Sequence, residues 1–217
     1  MPIYNFKKAL GEIAIIVFSV LLATYLENLR QHLDEEQTVK EFLEGLRADL
    51  QNDIKEMEGD MASYRFNVKS FRYFANLDNP TRYQTDSVNL YKGTFFSTTT
   101  LVPNAGGYEG FKSSGKLYSI QNRVLRTLIL DLYQENIPLL MKSTDTYVNR
   151  KERLALYYEN NLTYDSDGTP KSLELLLSPR FRSHCNNLIY ADEIMERYQI
   201  TIRNAQRIVQ LIEEGEH

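Results

Sequence analysis

Two rhythms divide the chain. From Ala9 to Leu26 the residues are apolar apart from Gly11, Glu12, Ser19, Thr24 and Tyr25, and no charge falls between Ile13 and Leu26. As a helix that segment is about 27 Å long, close to the hydrocarbon thickness of a bilayer. Farther on, apolar residues recur three or four apart at Leu43, Leu46, Leu50, Ile54, Met57, Met61, Tyr64, Val68 and Phe71. Arg47, Asp49, Asp53, Lys55, Glu56 and Asp60 are assigned to the other faces. This spacing predicts an extended amphipathic helix over about 34–77, continuing out of the first segment through Leu26, Leu29 and Leu33. Gly45 and Gly59 are the places for a bend, and Asp78-Asn79-Pro80 is the stop.

Residues 78–119 read as irregular. Asp86-Ser87 caps a short helix through Phe96, and the stretch STTTLVPNAGG is loop material. A second long helix is expected over 120–161, interrupted at Pro138, with the turn DSDGTP after it. A third, over 178–214, has Ser178 as N-cap and Pro179 in its first turn; Leu188, Ala191, Met195, Tyr198, Ile202, Ala205, Val209 and Ile212 alternate by threes and fours. No useful run of period-two alternation appears. The fold class is therefore all-α: an N-terminal transmembrane helix (9–28) continuing into an extended antiparallel helical bundle (29–217) with coiled-coil-like spacing.

A cleaved signal peptide has a similar basic start and apolar run, and Leu21-Leu22-Ala23 would serve as a cleavage site. Glu12 inside the apolar region and the unbroken helical pattern past Ala23 oppose it. A buried core helix is the other alternative, but a core helix rarely begins behind two lysines with no acid to balance them. Lys7 and Lys8 precede the segment, while Asp34, Glu35 and Glu36 follow it. Positive charge stays in the cytoplasm, so residues 1–8 form a cytoplasmic tail and the bulk of the chain lies in the periplasm of a Gram-negative cell, anchored in the inner membrane.

Composition narrows the function classes. A net charge of -4 and a pI near 5.5 provide no basic field for nucleic acid. Cys185 is the single cysteine and reads as a small core residue, and 15 tyrosines stand against no tryptophan. The stretch Gly110 to Leu117, GFKSSGKL, resembles a phosphate-binding loop. It lacks the preceding strand, and Leu117 stands where a metal-binding hydroxyl is required, so no nucleotide is expected. Thr163 to Glu174 meets a calcium-loop template at its third, fifth, sixth and twelfth positions, but Thr163 and Pro170 break it, and a plain turn is the simpler reading. His32, His184 and His217 share no metal-ligand spacing, and no nucleophile elbow is present. No catalytic, cofactor-binding or metal-ligating set emerges, which points away from an enzyme.

The anchor with its ALGEI start, the acidic and apolar helix after it, and GYEGFKSSGKLYSIQNRVLRTLILDLYQ together resemble an uncharacterised family of single-spanning membrane proteins of the Bacteroidota, a domain of unknown function. The similarity runs over most of the chain. The family's recurring marks match Gly11, Glu12, Lys112, Ser114, Gly115, Leu117, Leu125 and Arg126, while the tryptophan that often follows its anchor is missing here. The resemblance implies a membrane anchor and a helical domain, and no activity.

Two function classes are left: an accessory or scaffolding subunit that associates with another integral membrane protein or with its own copies, and a periplasmic ligand-binding or sensory bundle. A receptor needs a route back to the cytoplasm, yet the best later apolar run, Thr127 to Leu132, is far too short to span. The accessory subunit is the favoured reading. Its membrane-partner interface is expected along Glu12, Ile16, Ser19, Ala23 and Leu26, which fall on one helical stripe spaced four, three, four and three, with the small pair Ser19 and Ala23 one turn apart.

Overall fold

The computed structural model describes the backbone of residues 3–215 and the side chains of Lys8 and residues 10–215. Part of the expected tail, including the Lys7 side chain, and all of His217 lie outside the described residues.

A single helix, α1 (Ile3–Ala75), joins the two rhythms. At 1.5 Å per residue it is about 110 Å long. It passes unbroken through Gly45 and Gly59, where a Cβ added to either glycine would meet nothing within 4 Å. Its burial changes abruptly: every described side chain up to Gln37 is exposed, and from Val39 onward one face is buried. That face is a regular three-four seam of Val39, Leu43, Leu46, Leu50, Asp53, Met57, Asp60, Tyr64, Asn67, Phe71 and Phe74. Asp53 and Asp60 therefore do not lie on the outer faces to which their charge assigned them. Ile54 and Val68, expected on the seam, only pack at its edge.

After the end of α1, Asn79 caps a 3-10 turn at Pro80–Arg82. The chain then descends along α1. Helix α2 (Thr85–Tyr91) begins at Gln84, not at Asp86-Ser87, and runs into a 3-10 turn at Lys92–Phe95. A stretch without regular secondary structure follows over 97–104, then α3 (Gly106–Ser113) and a 3-10 turn at Lys116–Ser119. The descent is visible in successive contacts with α1: Phe95 lies 4.8 Å from Phe74, Asn104 bonds Asp53, and Phe111 stacks on Phe42 at 3.9 Å.

The chain climbs again in α4 (Arg123–Asp131) and α5 (Ile137–Asn161). Asn122 caps α4 by accepting from Leu125 N–H at 3.0 Å, so the helix starts three residues later than periodicity placed it. Between the two helices Leu132–Asn136 forms one π-turn, in which Ile137 N–H reaches back to the Leu132 carbonyl. The wider turn accommodates Pro138, which has no N–H to give and would crowd the carbonyl four residues earlier. The expected interruption is thus a bulge rather than a break.

After a turn closed by Gly168 at φ 84° and a lone bridge between Tyr164 and Pro170, α6 (Ser172–Leu177) leads to α7 (Pro179–Ile189) and α8 (Asp192–Glu213). Ser178 does cap α7, its hydroxyl accepting from Phe181 N–H at 3.2 Å. The single helix expected over 178–214 is divided at Tyr190 and Ala191, whose backbones leave the helical region. Asp192 and Glu193 favour a new N-terminus there, where acidic side chains meet unpaired N–H groups. Helices α7 and α8 descend beside α1, with Phe181 near Phe74 and Tyr198 bonded to Asp60. The bundle is all-α, with its four legs running up, down, up and down; the second leg is only partly helical.

Candidate functional site

Two regions carry groups that a merely stable bundle does not need. The first is the expected interface stripe. Glu12, Ile16, Ser19, Ala23 and Leu26 are all exposed, but so is everything around them on the helix, for example Val17, Phe18 and Leu21 at 51–66%. Exposure therefore does not single the stripe out; what distinguishes it is Glu12, the one acid between Ala9 and Leu26, in line with the small pair Ser19 and Ala23. The hydroxyls in this segment are satisfied within the helix, Ser19 donating to the Ile15 carbonyl at 2.8 Å and Thr24 to that of Val20 at 2.9 Å. That arrangement lets a hydroxyl face hydrocarbon or a close neighbour without an orphaned donor. Among the described residues Glu12 forms no ion pair within 4.0 Å, Lys8 included.

The segment's apolar window has a mean hydropathy of 1.8 and is 0% buried by the rest of the chain. It is long and apolar enough to cross a membrane. Past it the stalk turns polar, with Arg30 bridging Glu27 at 2.8 Å and Asp34 at 3.0 Å.

The second region is a polar ladder inside the bundle that helical periodicity did not bring out. Stretch 97–104 makes no helix, so its backbone groups need outside partners, and α1 supplies them turn by turn. Asp53 accepts from Asn104 N–H at 3.1 and 3.2 Å and from its side-chain amide at 2.6 Å. Glu56 accepts from Val102 N–H at 2.9 Å. Asp60 accepts from the Thr99 hydroxyl and, at 2.8 Å, from Tyr198 Oη. Tyr64 Oη donates to the Thr99 carbonyl at 3.1 Å, and Lys151 Nζ of α5 donates to that of Ser97.

Burial sets the electrostatics of this ladder. Desolvation raises the Asp53 carboxyl, against the pull of the Asn104 hydrogen bonds. Desolvation, then the hydrogen bond to Asp60, pushes the Tyr198 phenol well up. Lys151, 1% exposed and 5.9 Å from the Phe71 ring, is brought down by burial to about 8. The signal for the ladder was present in the sequence: Asp53, Asp60 and Asn67 recur every seventh residue in step with Leu50, Met57, Tyr64 and Phe71.

The other chemical candidates resolve into local structure. In GFKSSGKL, Ser114 N–H is spent on the Gly110 carbonyl and Gly115 N–H on that of Lys112, and Gly115 takes φ 75° to close α3. Leu117 is buried, and Lys116 Nζ lies 3.4 Å from Thr38 Oγ1. In the calcium-like loop Asp165 pairs with Lys171 at 2.8 Å and Asp167 accepts from Thr169 N–H. His32 faces Glu36 on the stalk at 3.6 Å, while His184 packs on Tyr157. No group of three or more His, Cys, Asp or Glu is poised to hold a metal among the described residues. Cys185 is wholly buried, and desolvation raises its thiol.

No family model, curated protein or solved structure matches this chain. Lys112, Ser114, Gly115, Leu117, Leu125 and Arg126 gather at the turn between α3 and α4. Ser114 Oγ closes it onto the Phe111 carbonyl at 2.7 Å, and Arg126 bonds the Ile120 carbonyl at 2.8 Å.

Proposed function

We propose that this protein is a non-enzymatic accessory or scaffolding subunit of the bacterial inner membrane, single-pass, with its N-terminus in the cytoplasm and its helical bundle in the periplasm. One observation carries the reading. An apolar window that its own chain leaves uncovered continues, as one helix, into the seam of a packed bundle. Its lack of cover sets it apart from a core helix, and its continuity with the seam favours a retained anchor over a cleaved leader. The resemblance to single-spanning Bacteroidota proteins supports the same arrangement.

A helix continuous from bilayer to bundle transmits position without a hinge, which suits holding a partner's periplasmic parts at a set distance from the membrane. The stripe Glu12, Ile16, Ser19, Ala23 and Leu26 is the partner-facing surface within the bilayer; Ser19 and Ala23 permit close helix approach, and Glu12 meets a basic or polar group. Removing one member of such a buried pair costs about 3–5 kcal/mol. In native membranes Glu12→Leu and Ser19→Leu therefore reduce recovery of the co-purifying membrane protein at equal expression, and Val17→Leu does not. Equal recovery from all three variants, or no membrane-embedded companion above background, would remove the basis for a stripe-mediated subunit. Orientation is checked separately: a reporter active only in the periplasm, fused after His217, is expected to be active, and activity from a cytoplasm-only reporter would reverse the topology.

A further inference from the structure

The break between α7 and α8 faces a strip of unpaired positive charge. Tyr190 leaves the helical region there and stands 72% exposed. A cleft opens on each side of it, of about 270 Å³ and about 480 Å³, and the two share Thr146, Arg150 and Tyr190. The first also holds Lys142, Glu193 and Arg197, the second Arg153 and Asn187. Glu193 is the one acid lining either cleft, and it is engaged by Arg197 at 2.9 Å and by Ser143 Oγ at 3.4 Å. Lys142, Arg150 and Arg153 have no carboxylate within 4.0 Å among the described residues. With about 100° of turn per residue, Asp145 and Glu152 fall about a quarter-turn or more round α5 from the middle of this strip, and they line neither cleft. The same field reaches His184, whose imidazole is held below its usual value by burial and then by the charges of Arg180 and Arg153. A chain of net charge -4 thus keeps one positive face that its own acids leave unneutralised.

Height, net charge and composition select the anion. Tyr147 lines the first cleft and packs on Tyr64, their ring centroids 5.2 Å apart. Tyr64 lies about 57 Å along α1 from Leu26, where the apolar run ends. Headgroup charge is screened within about 8–10 Å, so under the anchor reading no lipid is the counterpart. A long polyanion such as nucleic acid needs an extended basic field and would meet the acidic remainder of the chain, whereas a short acidic segment meets only the strip. Exposed tyrosine and arginine beside an aliphatic such as Leu139, 37% exposed, are what protein interfaces use, and arginine's planar fork matches a carboxylate. Along α5 the strip from Lys142 to Arg153 is about 16 Å long, the reach of about five extended residues.

We propose that the face formed by Lys142, Arg150, Arg153 and Tyr190 docks a short acidic segment of a partner protein, its carboxylates on the arginines and an apolar side chain against Tyr190. The inference rests on the accessory-subunit reading and deepens it. The stripe on the apolar helix holds the partner within the bilayer, and this face holds an acidic part of the same partner far above it.

The full chain in detergent is titrated with a fluorescein-labelled peptide of glutamates around one leucine, and binding is followed by fluorescence anisotropy at low salt. The unmodified chain is expected to bind it. Arg150→Glu with Arg153→Glu breaks no ion pair, so the helical circular dichroism spectrum is expected to stay unchanged while affinity falls about tenfold or more. Lys69→Glu with Lys92→Glu makes the same change in net charge at exposed lysines outside both clefts and is expected to bind as the unmodified chain does. Tyr190→Ala is expected to lose about fivefold and Tyr190→Phe to lose nothing. No binding, or equal weakening by the two charge reversals, overturns the site. Binding of inorganic phosphate or of an oligogalacturonate where the peptide fails overturns the peptide and reassigns the face to phosphate or to an acidic glycan. The arginine variant in native membranes separates this inference from the reading beneath it. A companion still recovered in full leaves the subunit standing and overturns the docking role of this face. With no companion even for the unmodified protein, the subunit reading falls, and the peptide titration still decides the face.

Discussion

The lower and upper halves of α1 belong to one uninterrupted helix and obey opposite rules. Below Gln37 its described side chains are the more apolar and are exposed; above Val39 they include Asp53 and Asp60, and these are buried at 1% and 5% exposure. Hydrophobicity alone would have reversed the two. What differs is the surrounding medium: the lower half has no protein partner within the chain, while the upper half faces three returning legs. One of those legs includes the non-helical stretch 97–104, whose backbone groups must be satisfied. Apolar exposure in the lower half marks a helix long and apolar enough to cross a membrane, and polar burial in the upper half implies a backbone in need of partners.

The sharpest way to break this comparison is to truncate one aromatic in each half. Phe74 is 0% exposed among Phe95, Phe181 and Tyr73. Phe74→Ala should cost about 3–5 kcal/mol in denaturant unfolding of the detergent-solubilised chain. Phe18→Ala, at 66% exposure, should leave that transition unmoved. Equal losses would mean that the lower half shares the bundle's core.

Lys151 sharpens the meaning of polar burial. Its folded pKa of about 8 lies below its ordinary 10.5, so between those values the folded chain holds fewer protons than the unfolded one. Stability from this group is therefore lowest below pH 8 and rises with pH up to about 10.5, by at most about 3 kcal/mol. Measured against Lys151→Met, the unmodified protein should gain stability from neutral pH towards pH 10. Parallel pH profiles for the two would show that the ammonium is solvated.

A smaller effect is expected at Asp53, because only part of the ladder is lost. Asp53→Ala strips the Asn104 N–H of its acceptor and should cost about 1–3 kcal/mol. Hydrogen exchange should speed up at Asn104 and its neighbours before it does so in α5 or α8. Unchanged exchange at Asn104 would mean that the ladder does not hold stretch 97–104.

Much of this architecture could be read in advance, and the misses share one cause. Periodicity and capping chemistry located α1, the all-α class and Ser178 as a cap, because each depends on residues within one or two turns. It misplaced Asp53 and Asp60 because a carboxylate is assigned outward unless its partner is known, and that partner, stretch 97–104, lies 39–51 residues away. It ran α7 and α8 together because Tyr190 and Ala191 are permissive in a helix, and only acids after them favour a restart. The stripe at Glu12, Ser19 and Ala23 was legible as chemistry, but nothing in the fold covers it.

The sequence by itself therefore determined which segments are helical, where most of them are punctuated, and that one of them is long and apolar enough to cross a membrane, since these follow from side-chain spacing and local backbone preference. Only the tertiary structure decided that the second leg descends through the non-helical stretch 97–104, that α1 turns its acids inward to hold it, and that the α3–α4 turn stands beside the stalk. Those outcomes depend on which backbone groups remain unpaired after distant segments meet, and a buried N–H or C=O without a partner costs more than the polar side chain brought in to satisfy it.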